Sequence, residues 1–337
     1  FSDSLSFGIM NVLLFISGLT MFMAGLVANF EYDLKKIIAM STLSQLGLMM
    51  SILALGENML AFFHLLMHAL FKALLFMCAG SMIHSLNDCQ DIRYMGSLIN
   101  FMPVTTCLFN ICNMALCGLP FLSGFYSKDL ILECMSMNYF NCYVYWIFYL
   151  STGLTVMYSI RLMYYTLVGD YGGFSYLSIS DAGSFMVKGM SGLIFLVIFG
   201  GSIMSWLVFP TPYFICLPLF MKLMVLVVIF IGGFLGYILS DVWVMDKSKS
   251  VSFFSFNYFI SSMGYLNYLS TFGVNFHFLK AGGNLSGTLD QGWSEYLGSQ
   301  NLFNCLKIGS VMLQSVFKNN LKIFLTLLMI WVCLLII

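Results

Sequence analysis

Polar and apolar positions along this chain fall into long blocks, not into the short alternating patterns of a water-exposed domain. Apolar blocks occupy residues 7–29, 34–55, 59–86, 104–135, 142–168, 185–209 and 217–240. Each is long enough to cross a hydrocarbon core of ~30 Å. Short polar connectors separate them at residues 31–33, 56–58, 87–93 and 169–181. A bilayer offers no water to the backbone, so each block is predicted to be helical. The fourth block is too long for one straight helix and contains Gly118 and Pro120. Proline removes an internal hydrogen bond and clashes with the preceding turn. The block is therefore predicted to be a helix broken near mid-membrane, with Gly118 and Pro120 as hinge and Ser123, Gly124 and Ser127 giving the break a polar lining.

After Asp241 the pattern changes. Residues 247–288 are polar and aromatic, with a glycine pair and no clear period. Residues 289–318 suit a semi-polar helix with Leu289, Trp293, Tyr296 or Leu297, Phe303 and Leu306 on one side. Asp290, Glu295, Lys307 and Lys318 make it a poor spanning candidate and a better surface-lying helix. A final apolar run, residues 321–337, is just long enough to span. The predicted division is a transmembrane bundle over 1–241, a connector and surface helix over 242–320, and a terminal anchor over 321–337.

Composition agrees with the blocks. The chain is 60% hydrophobic and 8% charged, against about 25% charged in soluble domains. An all-α polytopic membrane protein is the fold class these numbers allow. Fourteen basic residues balance fourteen acidic ones, which leaves no basic face for nucleic acid. The ten cysteines contain no C-x-x-C pair, so neither a metal or iron–sulfur site nor a disulfide framework is predicted. Phosphate-binding glycine motifs are missing as well. The opening Phe1-Ser2-Asp3 has no methionine, basic segment or short apolar core. We therefore expect an internal piece of a longer chain, not a processed signal peptide.

Against this apolar background Lys72 is conspicuous. His68 and His64 precede it by one and two helical turns, so the three share one face over ~12 Å of rise. Lys72 is 13 residues from Met59 and 14 from Leu86, or ~20 Å from either end of its helix. A lysine side chain is too short to snorkel that far. At mid-membrane depth it costs roughly 2.5–3.5 kcal/mol on insertion scales, so it calls for a partner or a task. Imidazole titrates near neutrality and passes protons along water chains. The stripe is thus a candidate proton relay, although buried histidines taken alone are more often hydrogen-bonded core residues. His84, beside Asn87 and Asp88, is expected at the interface.

A second constellation follows the predicted break: Ser127, Lys128 and Asp129, then Glu133. Asp129 and Glu133 share a face, and Lys128 points about 100° away. Broken helices expose backbone groups and dipole ends that hold ions and water; the plainer alternative is a charge cluster at the membrane surface. Arg161 can either snorkel or pair with Asp129 or Glu133. Lys222 and Asp241 read as anchors near segment ends. Ser41, Thr42, Ser44 and Gln45 either bond back to their own helix or line a hydrated path.

Several of these stretches resemble one family closely. FEYDLKKIIAMSTLSQLGLMM (residues 30–50), HLLMHALFKALLFMCAGSMIHSLNDCQDIR (64–93) and GLPFLSGFYSKDLILE (118–133) are similar to the mitochondrially encoded chain 5 family of respiratory complex I, NADH:ubiquinone oxidoreductase. DQGWSEY (290–296) looks like an arthropod version, and high methionine and phenylalanine fit an AT-rich mitochondrial gene. The resemblance covers the whole chain. It implies an antiporter-like helix bundle, related to multisubunit sodium/proton antiporters, with a lateral helix and a terminal transmembrane anchor. His64, His68 and Lys72 would be the central relay, and Lys128 with Asp129 the exit side of the path. The chain itself would bind no cofactor; NADH, FMN, iron–sulfur clusters and ubiquinone would belong to other subunits.

Implied partners are the other membrane-arm subunits, above all antiporter-like neighbours along the lateral helix, and the lipid of the mitochondrial inner membrane, with cardiolipin as a candidate. The resemblance also carries a departure. The family's earlier glutamate–lysine pair on another broken helix has no counterpart here, so the chain by itself is not expected to pump. Two readings of other classes stay open at this point: a stand-alone cation/proton antiporter subunit and a structural membrane scaffold.

Overall fold

The computed structural model describes residues 4–138, 141–175, 178–181, 184–241, 253–317 and 320–336. Among them the regular structure is helical, apart from a single backbone bridge between Asp33 and Asp91. The residues group into two units, 1–264 and 265–337.

The first unit is the bundle. Its long helices are α1 (Phe7–Phe30), α2 (Leu34–Ala54) and α3 (Asn58–Ser85). A single turn α4 (Leu98–Phe101) leads into the pair α5 (Pro103–Cys117) and α6 (Ser123–Asn138). Then come α7 (Cys142–Met163), extended by a π-helical turn Tyr164–Val168, α8 (Ser184–Val208) and α9 (Leu219–Asp241). A short α10 (Phe254–Ser261) ends the unit. Among the described residues, α1, α2, α3, α8 and α9 are long and apolar enough to cross a membrane. The seventh helix matches them in length, at 22 residues, but carries a polar face.

Polar contacts hold the helix ends together on each side. On one side, Arg161 Nη1 donates to the Glu31 carbonyl at 2.8 Å, Ser97 N–H to Gly169 O at 2.6 Å, and Tyr164 Oη to Asp241 at 3.4 Å. On the other, Tyr213 Oη meets Glu57 Oε2 at 3.2 Å. The first side carries Lys35, Lys36, Arg93, Arg161 and Lys188, whereas Lys222 is the described basic residue at the opposite end. We call the first the basic side.

Helix α3 lies at the centre, against α2, α5, α6 and α8. It is buried along its whole length, from Leu60 and Phe63 to Met82 and Ile83. One face stays exposed, through Phe62, Leu65 and Phe76, and because that face is as apolar as the buried ones, no clean polar–apolar stripe marks the helix.

In the second unit the chain is helical from Leu266 to Val316. Its regular parts are α11 (Val274–Leu285) and α12 (Asn301–Phe317), joined through π-helical stretches Ser286–Ser294 and Tyr296–Gln300. The helix therefore begins well before the expected residue 289. Gly282 and Gly283 sit inside α11, and the loose π turns explain why no single period marks this stretch. A last helix, α13 (Leu321–Ile336), has 16 residues, or ~24 Å of rise. Lys247, Lys318 and Ile337, which bounded the sequence expectation, lie outside the described residues.

Candidate functional site

The fourth apolar block is divided as expected, but by glycine. Gly118 adopts φ +84° and closes α5, with its N–H donating to Ala115 O and the Leu119 N–H to Met114 O. This doubly bonded left-handed ending stops a helix wherever glycine permits it. Pro120 lies in the following turn, outside both helices, so its clash with a preceding turn plays no part. The second half restarts at Ser123 and lies tightly against the first. A Cβ on Gly124 would stand 1.8 Å from the Ala115 carbonyl oxygen.

The break places Lys128 beside the end of α5. Its ammonium donates to the Leu116 carbonyl at 3.4 Å and to Thr155 Oγ1 at 2.8 Å. Carbonyls of a last helical turn have no intrahelical partner and carry the negative end of the helix dipole, so they suit a cation. Thr155 gives its own proton back to Thr152 O at 2.7 Å, which leaves lone pairs for the lysine. Asp129 is buried on the neighbouring face, and its Oδ1 has no protein partner. That oxygen lies 3.4 Å from the position of a Cβ on Gly118. Lys128 is 3% exposed, so the surface-cluster alternative is excluded.

The stripe on α3 is buried as one face, with His64 1%, His68 9% and Lys72 4% exposed. Lys72 Nζ donates to Ser41 Oγ on α2. Ser41 meanwhile donates to Ile38 O at 2.6 Å. The back-bonding alternative for the hydroxyls of α2 thus holds, with Ser41, Thr42 and Ser44 donating to their own helix while Ser41 also receives Lys72. His64 Nε2 meets Gln45 Oε1 at 3.2 Å, and Nδ1 meets Ser127 Oγ at 3.0 Å. Both ring nitrogens are thus engaged, and Ser127 Oγ also donates to Gly124 O at 3.3 Å. His68 has its ring centroid 6.3 Å from that of His64 and packs edge-on against Phe71, and its Nε2 has no protein partner.

The two sequence constellations therefore meet. Ser127, adjacent to Lys128, touches the first histidine of the stripe. Polar groups from α2, α3, α6 and α7 form one interior line from Lys72 through His68 and His64 to Ser127 and Lys128. Tyr158 of α7, fully buried, adds its hydroxyl among Ser41, Ser44 and Gln45.

Arg161 follows the first of its two alternatives and reaches the end of its segment. It pairs with neither Asp129 nor Glu133. Its guanidinium bonds the Glu31 carbonyl and lies 4.8 Å from the Tyr32 ring centroid and 5.7 Å from that of Tyr165. It fastens the end of α7 to the α1–α2 turn, far from the broken helix. Glu133 is half-buried one turn beyond Asp129, toward the side opposite the basic one.

Thr155 and Tyr158 were not anticipated from the sequence. Their signal was present: Ser151, Thr155, Tyr158 and Ser159 recur at helical spacing and are all buried. Among the described residues no His, Cys, Asp or Glu group is placed to hold a metal ion, and the cysteines are free thiols.

Buried lysines at mid-helix, one of them on a helix interrupted inside the bundle, define a polytopic helical membrane protein with a charged interior. Comparison with known families makes the assignment specific. Residues 2–157 match the family described as NADH:quinone oxidoreductase/Mrp antiporter, TM, and residues 158–337 match NADH dehydrogenase subunit 5 C-terminus. The chain is 53% identical over 95% of its length to NADH-ubiquinone oxidoreductase chain 5 of Anopheles quadrimaculatus, covering 55% of that protein. It is 50% identical over 95% of its length to the Locusta migratoria protein of the same name, covering 56%. With the Sus scrofa protein it shares 40% identity over 69% of its length, covering 39%. The chain belongs to the NADH dehydrogenase subunit 5 family. It spans about half the length of the insect relatives it matches.

Proposed function

We propose that this chain is part of the proton-translocating membrane arm of NADH:ubiquinone oxidoreductase. It would carry protons between Lys72 and Lys128 while electron transfer proceeds in other subunits. The observation that supports this reading is the interior polar line itself, in which each lysine is hydrogen-bonded by a helix other than its own. Such groups are rare in hydrocarbon and mark ion or proton pathways.

In this mechanism a proton on Lys72 moves to His68 and then to His64 through a bridging water, the ordinary device where side chains stand too far apart for a direct bond. His64 is bonded through both ring nitrogens, so with Nδ1 protonated it can take a proton at Nε2 and release the Nδ1 proton toward Ser127 without turning. Lys128 receives the charge beside the α5 carbonyls, and Asp129 and Glu133 carry it toward the opposite side. A charge arriving on one group alters the proton affinity of the next, so the line titrates as a unit. Each transfer moves one proton and leaves the donor neutral or restored.

The excess of lysine and arginine on the basic side supports its facing the compartment where the chain is made, the mitochondrial matrix. The helical stretch Leu266–Val316, roughly 70–80 Å of rise, supports a lateral role along neighbouring antiporter-like subunits. NADH, FMN, iron–sulfur clusters and ubiquinone would be held by other subunits, and cardiolipin is a candidate lipid contact.

The test is Lys72→Ala and Lys128→Ala, made separately in fully assembled complex within sealed vesicles. Each should lower protons moved per NADH oxidised while assembly is retained. Normal stoichiometry in either variant overturns that lysine's place in the relay.

A further inference from the structure

The line from Lys72 leads away from the basic side, so its supply from that side needs a separate path. A polar cavity of about 410 Å³ opens there between the ends of α3, α5 and α8. Ser81, His84 and Ser85 line one wall, and Asp181 and Thr105 another. Asp181 Oδ2 accepts from the Val104 N–H at 2.9 Å, which fixes the carboxylate, while its buried Oδ1 has no protein partner. The floor is Met190, fully buried. Below it the Cys78 thiol donates to the Met190 sulfur at 3.5 Å.

Beyond Cys78 lies Cys112 of α5, also fully buried. Cys112 is an electrostatic neighbour of both Cys78 and Lys72, and Cys78 is one of Asp181. From Ser81 to Lys72 the rise along α3 is ~14 Å, and these sulfurs occupy the middle of it. Thiols and thioethers are soft, weakly hydrogen-bonding groups. A plug built of them offers a proton no fixed acceptor, and passes one only when water files through. Apolar constrictions gate in this way, by wetting and dewetting.

We propose that this cavity is the inlet through which protons from bulk water on the basic side reach Lys72, with Cys78, Met190 and Cys112 as its gate. The proposal rests on the relay reading of Lys72. A proton leaves hydronium for the Asp181 carboxylate, passes to a water in the wetted gate, and ends on the Lys72 amine, leaving Asp181 ionised again. His84 at the mouth adds a second exchangeable group facing solvent.

The experiment uses assembled complex in sealed vesicles with the basic side accessible. Ser81→Phe fills the cavity, Met190→Phe narrows the gate, and Ser81→Thr is the polar control. Both phenylalanine variants should lose protons moved per NADH, with the control unchanged. In wild-type complex, 2-aminoethyl methanethiosulfonate should modify Cys78 several-fold faster during NADH oxidation than at rest, read by mass spectrometry with exposed Cys107 as reference. Normal pumping in assembled Ser81→Phe and Met190→Phe overturns the inlet. Equal Cys78 modification at rest and during turnover overturns the gate. Loss of pumping in Lys72→Ala beside normal pumping in both phenylalanine variants would sink this proposal and leave the relay standing.

Discussion

Ser127 Oγ lies 3.0 Å from His64 Nδ1 across 63 residues of sequence, and this bond joins the unbroken central helix to the second half of the broken one. Ser127→Ala removes the partner hydroxyl and leaves a buried ring nitrogen unpaired, at a cost of ~1–3 kcal/mol. The variant should assemble with a lower melting temperature and pump fewer protons per NADH. Unchanged stoichiometry would remove Ser127 from the path.

Thr155 is the side-chain acceptor for Lys128. Thr155→Val keeps the shape and deletes a hydrogen bond to a charged group, worth ~1.5–3 kcal/mol. Pumping should fall, while Thr155→Ser should restore it. Equal rates for valine and serine variants would show that the contact only fills space.

Gly124 is held against the Ala115 carbonyl by the lack of a side chain. Gly124→Ala must separate α5 from α6, and overpacking of this kind costs ~1–3 kcal/mol or more. Native gels should show reduced assembly. Full assembly and a wild-type melting temperature would mean that the two halves separate freely.

Arg161 gives the contrasting expectation. Arg161→Lys loses the planar fork that reaches both the Glu31 carbonyl and the Tyr32 ring. Stability should drop while protons moved per NADH stay at the wild-type value. A change in stoichiometry would place Arg161 in the transport machinery after all.

The turn beside it predicts an acid-sensitive clasp. Arg93 donates to both oxygens of Asp91, at 3.1 and 2.7 Å, and these bonds hold the carboxyl below its ordinary pKa. A lowered folded-state pKa means that the stabilisation is complete above ~3.9 and is lost as pH falls through the folded value. Arg93 is more than half exposed, so the effect should stay under ~1 kcal/mol. The hydrogen-exchange protection factors of the Leu34 and Ile92 amides, which bond Gln90 O and Tyr32 O, should fall on acidification in wild type. In Asp91→Asn they should be insensitive to the same change.

The long helices were legible because apolar length alone specifies them, as α1, α2, α3, α8 and α9 illustrate. The registry of His64, His68 and Lys72 was legible too, since helical spacing fixes a face before any partner is known. The partners were less accessible. Nothing local to Arg161 distinguishes a carboxylate from a carbonyl and a tyrosine ring as its destination. Thr155 resembles any helical threonine until α6 brings Lys128 to it. Pro120 drew attention from Gly118 because proline's effect on a helix is steric and visible in sequence, whereas glycine's left-handed ending depends on the bonds that follow. The helix from Leu266 was hidden because its π turns and paired glycines erase a constant period.

The turn at 118–122 has a mechanical consequence. Ser127 and Lys128 are consecutive residues on α6, yet their partners sit on other helices: His64 on α3, Leu116 on α5 and Thr155 on α7. A small swing of α6 about that turn would pull the serine from the histidine and the ammonium from the carbonyl in one stroke. Connectivity and charge stabilisation are ganged on the same lever, the single turn that Gly118 opens.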